Sequence, residues 1–273
     1  MVADDVGPVA ELAAAAFSRP ITDDDAAEGW RRRVTHPFST DPAGAFVAEL
    51  DGRVIGAAEA LVRERLWTLS LLAVRPDIQS AGAGRALLEH ALAYGEPTNA
   101  GLIVSSNDSR ALRLYAAGGF ALHPTFRAEG QVDRRALPRN HGHVREHDSG
   151  EDLESLAELT RAIRGAPYTA ELRYALDSGG RLLRVTDRGF AVVADDGGLW
   201  VLVARDEEAA GALLSYALAM ADGPARVRWI TGAQRWAIDV LLAARLEIFA
   251  SGALCVRGTP GSLQPFLPTA PFA

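Results

Sequence analysis

Hydrophobic positions along this chain change period several times, and each change marks an element. Residues 6–17 carry apolar side chains at three- and four-residue spacing, which predicts an amphipathic helix. Residues 23–34, DDDAAEGWRRRV, predict a second helix, acidic at its start and basic at its end, as the helix dipole favours. The period then falls to two. AGAFVAELDGRVIGAAEALV reads as a hairpin turning at Asp51-Gly52, and LWTLSLLAV as a third strand. A loop of small residues follows, then a helix to about Tyr94 and the strand GLIVSS. SRALRLYAAGGF is a helix closed by Gly118-Gly119. TFRAEGQVDRRALPRN predicts a weaker strand that runs into a connector.

After about residue 143 the same order begins again. HVREH reads as a short strand, DLESLAELTRAI as a helix, and RLLRVTDRGFAVVADDGG as a hairpin. LWVLVA (strand), AGALLSYALAM (helix), RVRWIT (strand), AQRWAIDVLLAARL (helix) and ALCVRG (strand) complete it. Downstream of the small-residue loop the copies align with Ala86 on Ala212, so the offset is 212 − 86 = 126. Upstream, Val74 falls on Ala204, an offset of 204 − 74 = 130, so the second copy lacks four residues in the loop. An internal duplication is the reading. The first copy has no counterpart of HVREH, which predicts a short or missing first strand, or a true N-terminus lying upstream. The expected division is 1–140, 141–258 and a proline-rich tail, 259–273.

Composition narrows the chemistry. The chain has 273 residues, a formal charge of −7 and no lysine, all 28 basic residues being arginine. A lysine phosphate loop and lysine Schiff-base chemistry are therefore excluded. The acidic balance, with a pI near 5.4, argues against a nucleic-acid footprint. The single Cys255 sits in the strand pattern GALCVRG and reads as a packed thiol in a reducing compartment. The N-terminus opens on acids, and its apolar stretch is too short to span a bilayer. These features predict a cytoplasmic protein with no membrane partner, as monomer or homodimer.

The loop LAVRPDIQSAGAGRALL carries the most information. Gly82 and Gly84 strip side chains from the first turn of a helix, where unpaired N–H groups and the helix dipole favour an anion. A tight strand-to-helix turn that needs glycine for steric reasons alone is the competing explanation. A dinucleotide fold is not supported, because Leu87 stands where that fingerprint needs its third glycine.

Gln79, Ser80, Ala81, Gly82, Ala83 and Gly84 resemble the acetyl-CoA signature Q/R-x-x-G-x-G/A of the GCN5-related N-acetyltransferases. NDSRALRLYAAGGF resembles that family's second signature, with Asn107, Tyr115 and Phe120 in register. The resemblance covers the chain as a tandem pair, clearly in the first copy and faintly in the second. It implies an α/β fold: two domains, each a mostly antiparallel, splayed sheet flanked by helices. It also implies that the backbone of Leu72, Ala73 and Val74 pairs with pantetheine, that the loop from Gln79 to Ala86 holds the pyrophosphate, and that Arg75 or Arg85 adds charge. Tyr115 matches the family's general acid, and a small-molecule amine, ahead of a peptide amine, is the implied acceptor. No metal is implied.

The base is less plainly marked. Relatives place a glutamate near the positions held here by Thr68 and Ser70, so Glu59 is the nearest carboxylate, with Glu64 another; a solvated strand residue is the plainer role for Glu59. The missing carboxylate also leaves open a non-catalytic subunit that binds acetyl-CoA. At the 126 offset Tyr115 falls on Leu241 and Asn107 on Ala233, and the second loop holds Asp206, Glu207 and Glu208. The second copy is expected to fold without binding acetyl-CoA, bracing the first or lining the acceptor pocket. Asp23, Asp24 and Asp25 read as a helix cap, or with Glu28 as an attraction for a cationic amine; Arg31, Arg32 and Arg33 read as a solvated helix end. His141, His143 and His147 read as connector residues before metal ligands. The tail GSLQPFLPTAPFA is expected to be extended and disordered, unless Phe266 and Phe272 dock it.

Overall fold

The computed structural model describes residues 1–78, 82–96, 98–137, 144–147, 153–194 and 197–272. The chain divides into two compact units, Met1–Ile103 with Pro271–Ala273, and Val104–Ala270.

The first unit opens on α1 (Val6–Ala16) and α2 (Asp24–Thr40), with no strand ahead of them among the described residues. Asp23 caps α2 by accepting from the Ala26 N–H at 2.8 Å. The helix runs past the expected end at residue 34, through Pro37, to Thr40. Proline at 37 removes only one in-helix N–H, and burial of Val34 and Pro37 holds the last turns in place. The hairpin follows as β1 (Ala45–Leu50) and β2 (Arg53–Arg63), turning at Asp51 and Gly52, both with positive φ. Then come β3 (Leu66–Val74), α3 (Ala83–Tyr94) and β4 (Ala100–Ser105). β1, β2 and β3 are antiparallel neighbours, and β4 joins β3 in parallel. Val9, Ala10, Leu12 and Ala13 of α1 pack with Val34 of α2 on Ala57, Leu71 and Ala73. On the other face α3 lies so close that a Cβ on Gly56 would meet Leu87 at 2.8 Å.

The second unit holds α4 (Ser109–Ala117), β5 (Ala121–Gly130), β6 (Val144–His147), α5 (Ala157–Arg164) and α6 (Thr169–Asp177). It continues with β7 (Arg181–Val185), β8 (Gly189–Val193), β9 (Leu199–Ala204), α7 (Glu207–Met220) and β10 (Ala225–Thr231). α8 (Arg235–Ala243), β11 (Glu247–Gly258) and β12 (Phe266–Leu267) close it. α6 has no counterpart in the expected elements, although Leu172, Ala175 and Leu176 carry helical spacing and are buried. One antiparallel sheet runs β12-β9-β8-β7-β6. β5 lies between β11 and β10, antiparallel to both. A strand from the first half of the duplication thus pairs on both edges with strands of the second half. A core running from Ala128 through Leu213 and Leu241 to Leu267 lies within this unit, and Tyr168, Leu172, Phe190 and Phe266 are buried outside it. No helix among the described residues is long and apolar enough to cross a membrane.

Candidate active site

β3 is where the first unit opens. Its pairs with β2 continue through Ala57↔Ala73 and Gly56↔Val74, but its pairs with β4 stop at Leu69↔Ile103. β4 registers no pair with β3 from Ser70 onward, so the β4-side edge of Leu72 and Ala73 has no partner strand among the described residues. The pairing of β2 slips at the same point, between Glu59 and Ala60, making Ser70 the extra residue of a bulge.

The strand leads into the glycine-bearing helix start. Gly82 occupies the N-cap of α3 at φ 89°, with no side-chain cap, and an added Cβ there would meet nothing within 4 Å. Only glycine adopts that φ without strain. The N–H groups of Arg85 and Ala86 donate to the Gly82 carbonyl, both at 3.1 Å, and those of Ala83 and Gly84 donate to no acceptor among the described residues. Gly84 lies over β3, a Cβ there falling 3.5 Å from Val74. Backbone donors at an uncapped helix start, beside an open strand edge, fit a diphosphate followed by an extended amide-bearing arm. Both expected arginines are engaged locally: Arg75 by Asp77 at 2.8 Å and Arg85 by Glu89 at 2.8 Å. Gln79, Ser80 and Ala81 lie outside the described residues.

Glu59 corrects the expectation of a solvated side chain: it is 0% exposed. The reason is that β2 is buried on both faces from Ile55 to Leu61, α1 and α2 covering the face Glu59 shares with Ala57. Arg33 of α2 corrects its expectation too. Its guanidinium approaches Glu59 Oε2 at 3.7 Å and donates from Nη2 to the Ser70 carbonyl at 2.5 Å. Burial outweighs the guanidinium, and the Glu59 carboxyl is pushed up to about 8. Neither Glu59 oxygen finds a hydrogen-bond partner among the described residues, and the same holds for Thr68 Oγ1 and Ser70 Oγ on β3. Buried polar atoms left open in this way are ones that a polar ligand or an ordered water can satisfy. Glu64 sits exposed in the β2–β3 turn, away from this cluster by sequence and strand position.

A second observation that sequence reasoning missed is Asp41, which ends α2. Its Oδ1 accepts from the Val62 N–H and the Tyr94 hydroxyl, both at 2.9 Å, and its Oδ2 from Arg63 at 2.6 Å. These bonds hold its carboxyl below the usual range despite burial and tie α2 and α3 to β2. The signal was available as an acid immediately before a proline at a helix end.

In the second unit, Tyr115 lies on α4 and is 6% exposed. Burial, with smaller contributions from Cys255 and Asp108, raises its pKa, so the phenol keeps its proton. Its hydroxyl makes no hydrogen bond among the described residues. Asn107 is exposed in the loop before α4, where Asp108 caps the helix through the Arg110 N–H at 2.8 Å. Cys255 is buried, and burial pushes its thiol up to about 12, in keeping with a packed residue. His141 and His143 lie outside the described residues, and no cluster of metal-ligating side chains forms among those described.

The second copy shows how such a site is closed. Leu72, Ala73 and Val74 correspond at the 130 offset to Leu202, Val203 and Ala204 of β9. There the outer edge is taken by the chain's own tail: β12 pairs Phe266 with Val203 and Leu267 with Leu202, and the Ala204 N–H donates to the Pro265 carbonyl at 3.2 Å. At the following helix start Asp206 accepts from the Ala209 N–H at 2.9 Å and is held by Arg188, which also binds Glu208. A carboxylate thus stands at the helix start where the first copy has bare amides. The tail is accordingly not disordered as expected; Phe266 and Phe272 are 1% and 0% exposed, because each buries an aromatic ring that water would otherwise surround.

The acetyltransferase (GNAT) family pattern matches residues 8–120. A mycothiol acetyltransferase of Streptomyces coelicolor is 38% identical over 109 residues, 38% of this chain and 32% of its own length. One of Kineococcus radiotolerans is 35% identical over 139 residues, 50% of this chain and 44% of its own. The match to the first of these relatives therefore spans about a third of its length. Among solved structures, a Pyrococcus horikoshii chain superposes with a TM-score of 0.80 at 16% identity, covering 99% of this chain and 92% of that one. A tandem GNAT protein from the clavulanic acid biosynthesis pathway gives a TM-score of 0.60 at 16% identity, covering 93% and 95%. The fold is shared across the whole length of this chain.

Proposed function

Because residues 8–120 match the acetyltransferase (GNAT) family pattern, we propose that this chain moves an acetyl group from acetyl-CoA to the amine of a small molecule. The observation that carries the reading is the parting of β3 from β4 after Leu69, directly before a helix start without side chains. The edge of Leu72, Ala73 and Val74 is suited to pair with the pantetheine amides, and the open N–H groups of Ala83 and Gly84 at the start of α3 to hold the diphosphate. Acetyl-CoA supplies an activated acyl carbon and a thiolate leaving group.

The residues of the chain divide the remaining work. Glu59 takes a proton from the incoming ammonium, so that the neutral nitrogen attacks the thioester carbon. A carboxyl titrating near 8 is well matched to that task, since a base is most useful when its pKa lies close to the working pH. The bulge at Ser70 turns the β3 backbone so that an N–H near Leu72 can stabilise the oxyanion of the tetrahedral intermediate. As the carbon–sulfur bond breaks, Tyr115, assigned by the family's second signature, gives its proton to the departing sulfur, and the surplus proton of the new amide nitrogen returns the tyrosinate to phenol. The second copy, its strand edge filled by the tail, serves as scaffold.

The test is thiol release from acetyl-CoA with a panel of small amines, for the wild type and Tyr115→Phe. The reading predicts amine-dependent turnover that falls on the order of 100-fold in the variant, with coenzyme A affinity unchanged. Coenzyme A binding without turnover on any amine, peptide amines included, would favour a non-catalytic binding subunit.

A further inference from the structure

The end of the chain is fixed at two points. β12 is hydrogen-bonded to β9, and Gln234 Nε2 donates to the Leu263 carbonyl at 2.7 Å. Beyond β12, Phe272 belongs to the first unit, where it is 0% exposed. The Arg33 guanidinium lies over its ring, 5.3 Å from the centroid, and the His36 imidazole meets the ring edge-on at 5.1 Å. Arg33 and His36 are neighbours on one face of α2. Arg33 is also the cation nearest Glu59, at 3.7 Å, and is anchored on the Ser70 carbonyl. One guanidinium therefore touches an aromatic ring, a backbone carbonyl and a buried carboxylate.

Among the described residues, Arg33 is the charged group that acts on Glu59. α2 brings Arg33, with His36 on the next turn; β3 brings Thr68 and Ser70; β1 places Ala45 opposite Glu59; α1 presents Val9, Leu12 and Ala13 to the sheet. An aromatic face attracts a guanidinium while excluding water from it.

We propose that Phe272 is a positioning residue of the acceptor site, which holds Arg33 against Glu59 and keeps water from that carboxylate. Phe272 then belongs to the machinery that receives the proton of the incoming amine. This rests on the reading of Glu59 as the base. Its consequence has a definite sign: burial is the larger influence on Glu59, so admitting water lowers its pKa even though the guanidinium is loosened.

The experiment is a carboxyl 13C NMR titration of the full-length protein, with Glu59→Gln identifying the Glu59 resonance and coenzyme A calorimetry on the same samples. The wild-type resonance is expected to titrate near 8. In Phe272→Ala it should move down by about one pH unit or more, with coenzyme A still bound. Phe272→Tyr, which keeps the ring, should restore the wild-type value. Should Phe272→Ala fail to fold, Phe272→Leu keeps the bulk without the aromatic face and should shift the resonance in the same direction by less. An unmoved Glu59 resonance in a folded variant overturns the proposal. A wild type that binds no coenzyme A would instead refute the acetyl-transfer reading, and the two failures are distinct.

Discussion

Replacing Glu59 by glutamine should stabilise the protein, increasingly so as the pH rises. The carboxyl has an ordinary value of 4.5 and is pushed up to about 8 in the folded state, chiefly by burial. Below 4.5 the group is neutral in both folded and unfolded chains and contributes nothing. Between the two values the unfolded chain has released the proton and the folded chain still holds it. The unfolded state thus binds fewer protons, and stability falls with rising pH. Each pH unit of that interval is worth about 1.4 kcal/mol. By pH 7 the loss is about 3 kcal/mol, and above 8 it levels at about 5 kcal/mol. Glutamine is neutral throughout and escapes the loss. Urea unfolding of wild type and Glu59→Gln at pH 5, 7 and 8.5 measures the difference between them, in which all other titrating groups cancel. Its slope, not its offset, is the observable. A difference independent of pH would refute the claim that Glu59 is desolvated in the folded state.

Other outcomes follow from the same structure. In the acetyl-transfer assay kcat/KM should fall as the pH drops below about 8, because Glu59 must be ionised to act as base; a limb near 4.5 would mean a solvated carboxylate. Asp41→Ala strands the Val62 N–H and the Tyr94 hydroxyl and should cost roughly 2–6 kcal/mol in chemical denaturation, since each buried group left unpaired costs about 1–3 kcal/mol. A fragment ending at residue 140 leaves β5 without β10 and β11. It should aggregate on expression, whereas a monodisperse, cooperatively melting fragment would show that β5 does not depend on them.

Most of the fold was legible because the hydrophobic period switches sharply between strand and helix, and because the duplication repeats each switch. The Asp51-Gly52 turn, the close of α4 at Gly118-Gly119 and the helix start at Gly82 all carry local chemistry that names the turn. What was not legible depends on tertiary cover. GAAEALV alternates weakly because alanine suits either face, so nothing in it reveals that α1 and α2 bury Glu59. Arg33 ends a run of three arginines that looks like a solvated terminus; only the continuation of α2 through Pro37 places it inside. Periodicity also gives no partner for a strand, which is why the position of β5 between β11 and β10, and the tail on β9, were invisible. The matched signatures place Tyr115 and Asn107, yet their roles come from resemblance, not from spacing.

Isothermal titration of the full-length protein with coenzyme A tests the central claim most directly. One site per chain is expected, abolished by Gly82→Glu, whose side chain would project a carboxylate from the open N-cap of α3. Leu202→Ala in β9 should leave it intact, because that edge already carries the tail. Two sites per chain, no binding, or full affinity in Gly82→Glu would contradict an account in which bare amides of the first copy alone grip the nucleotide.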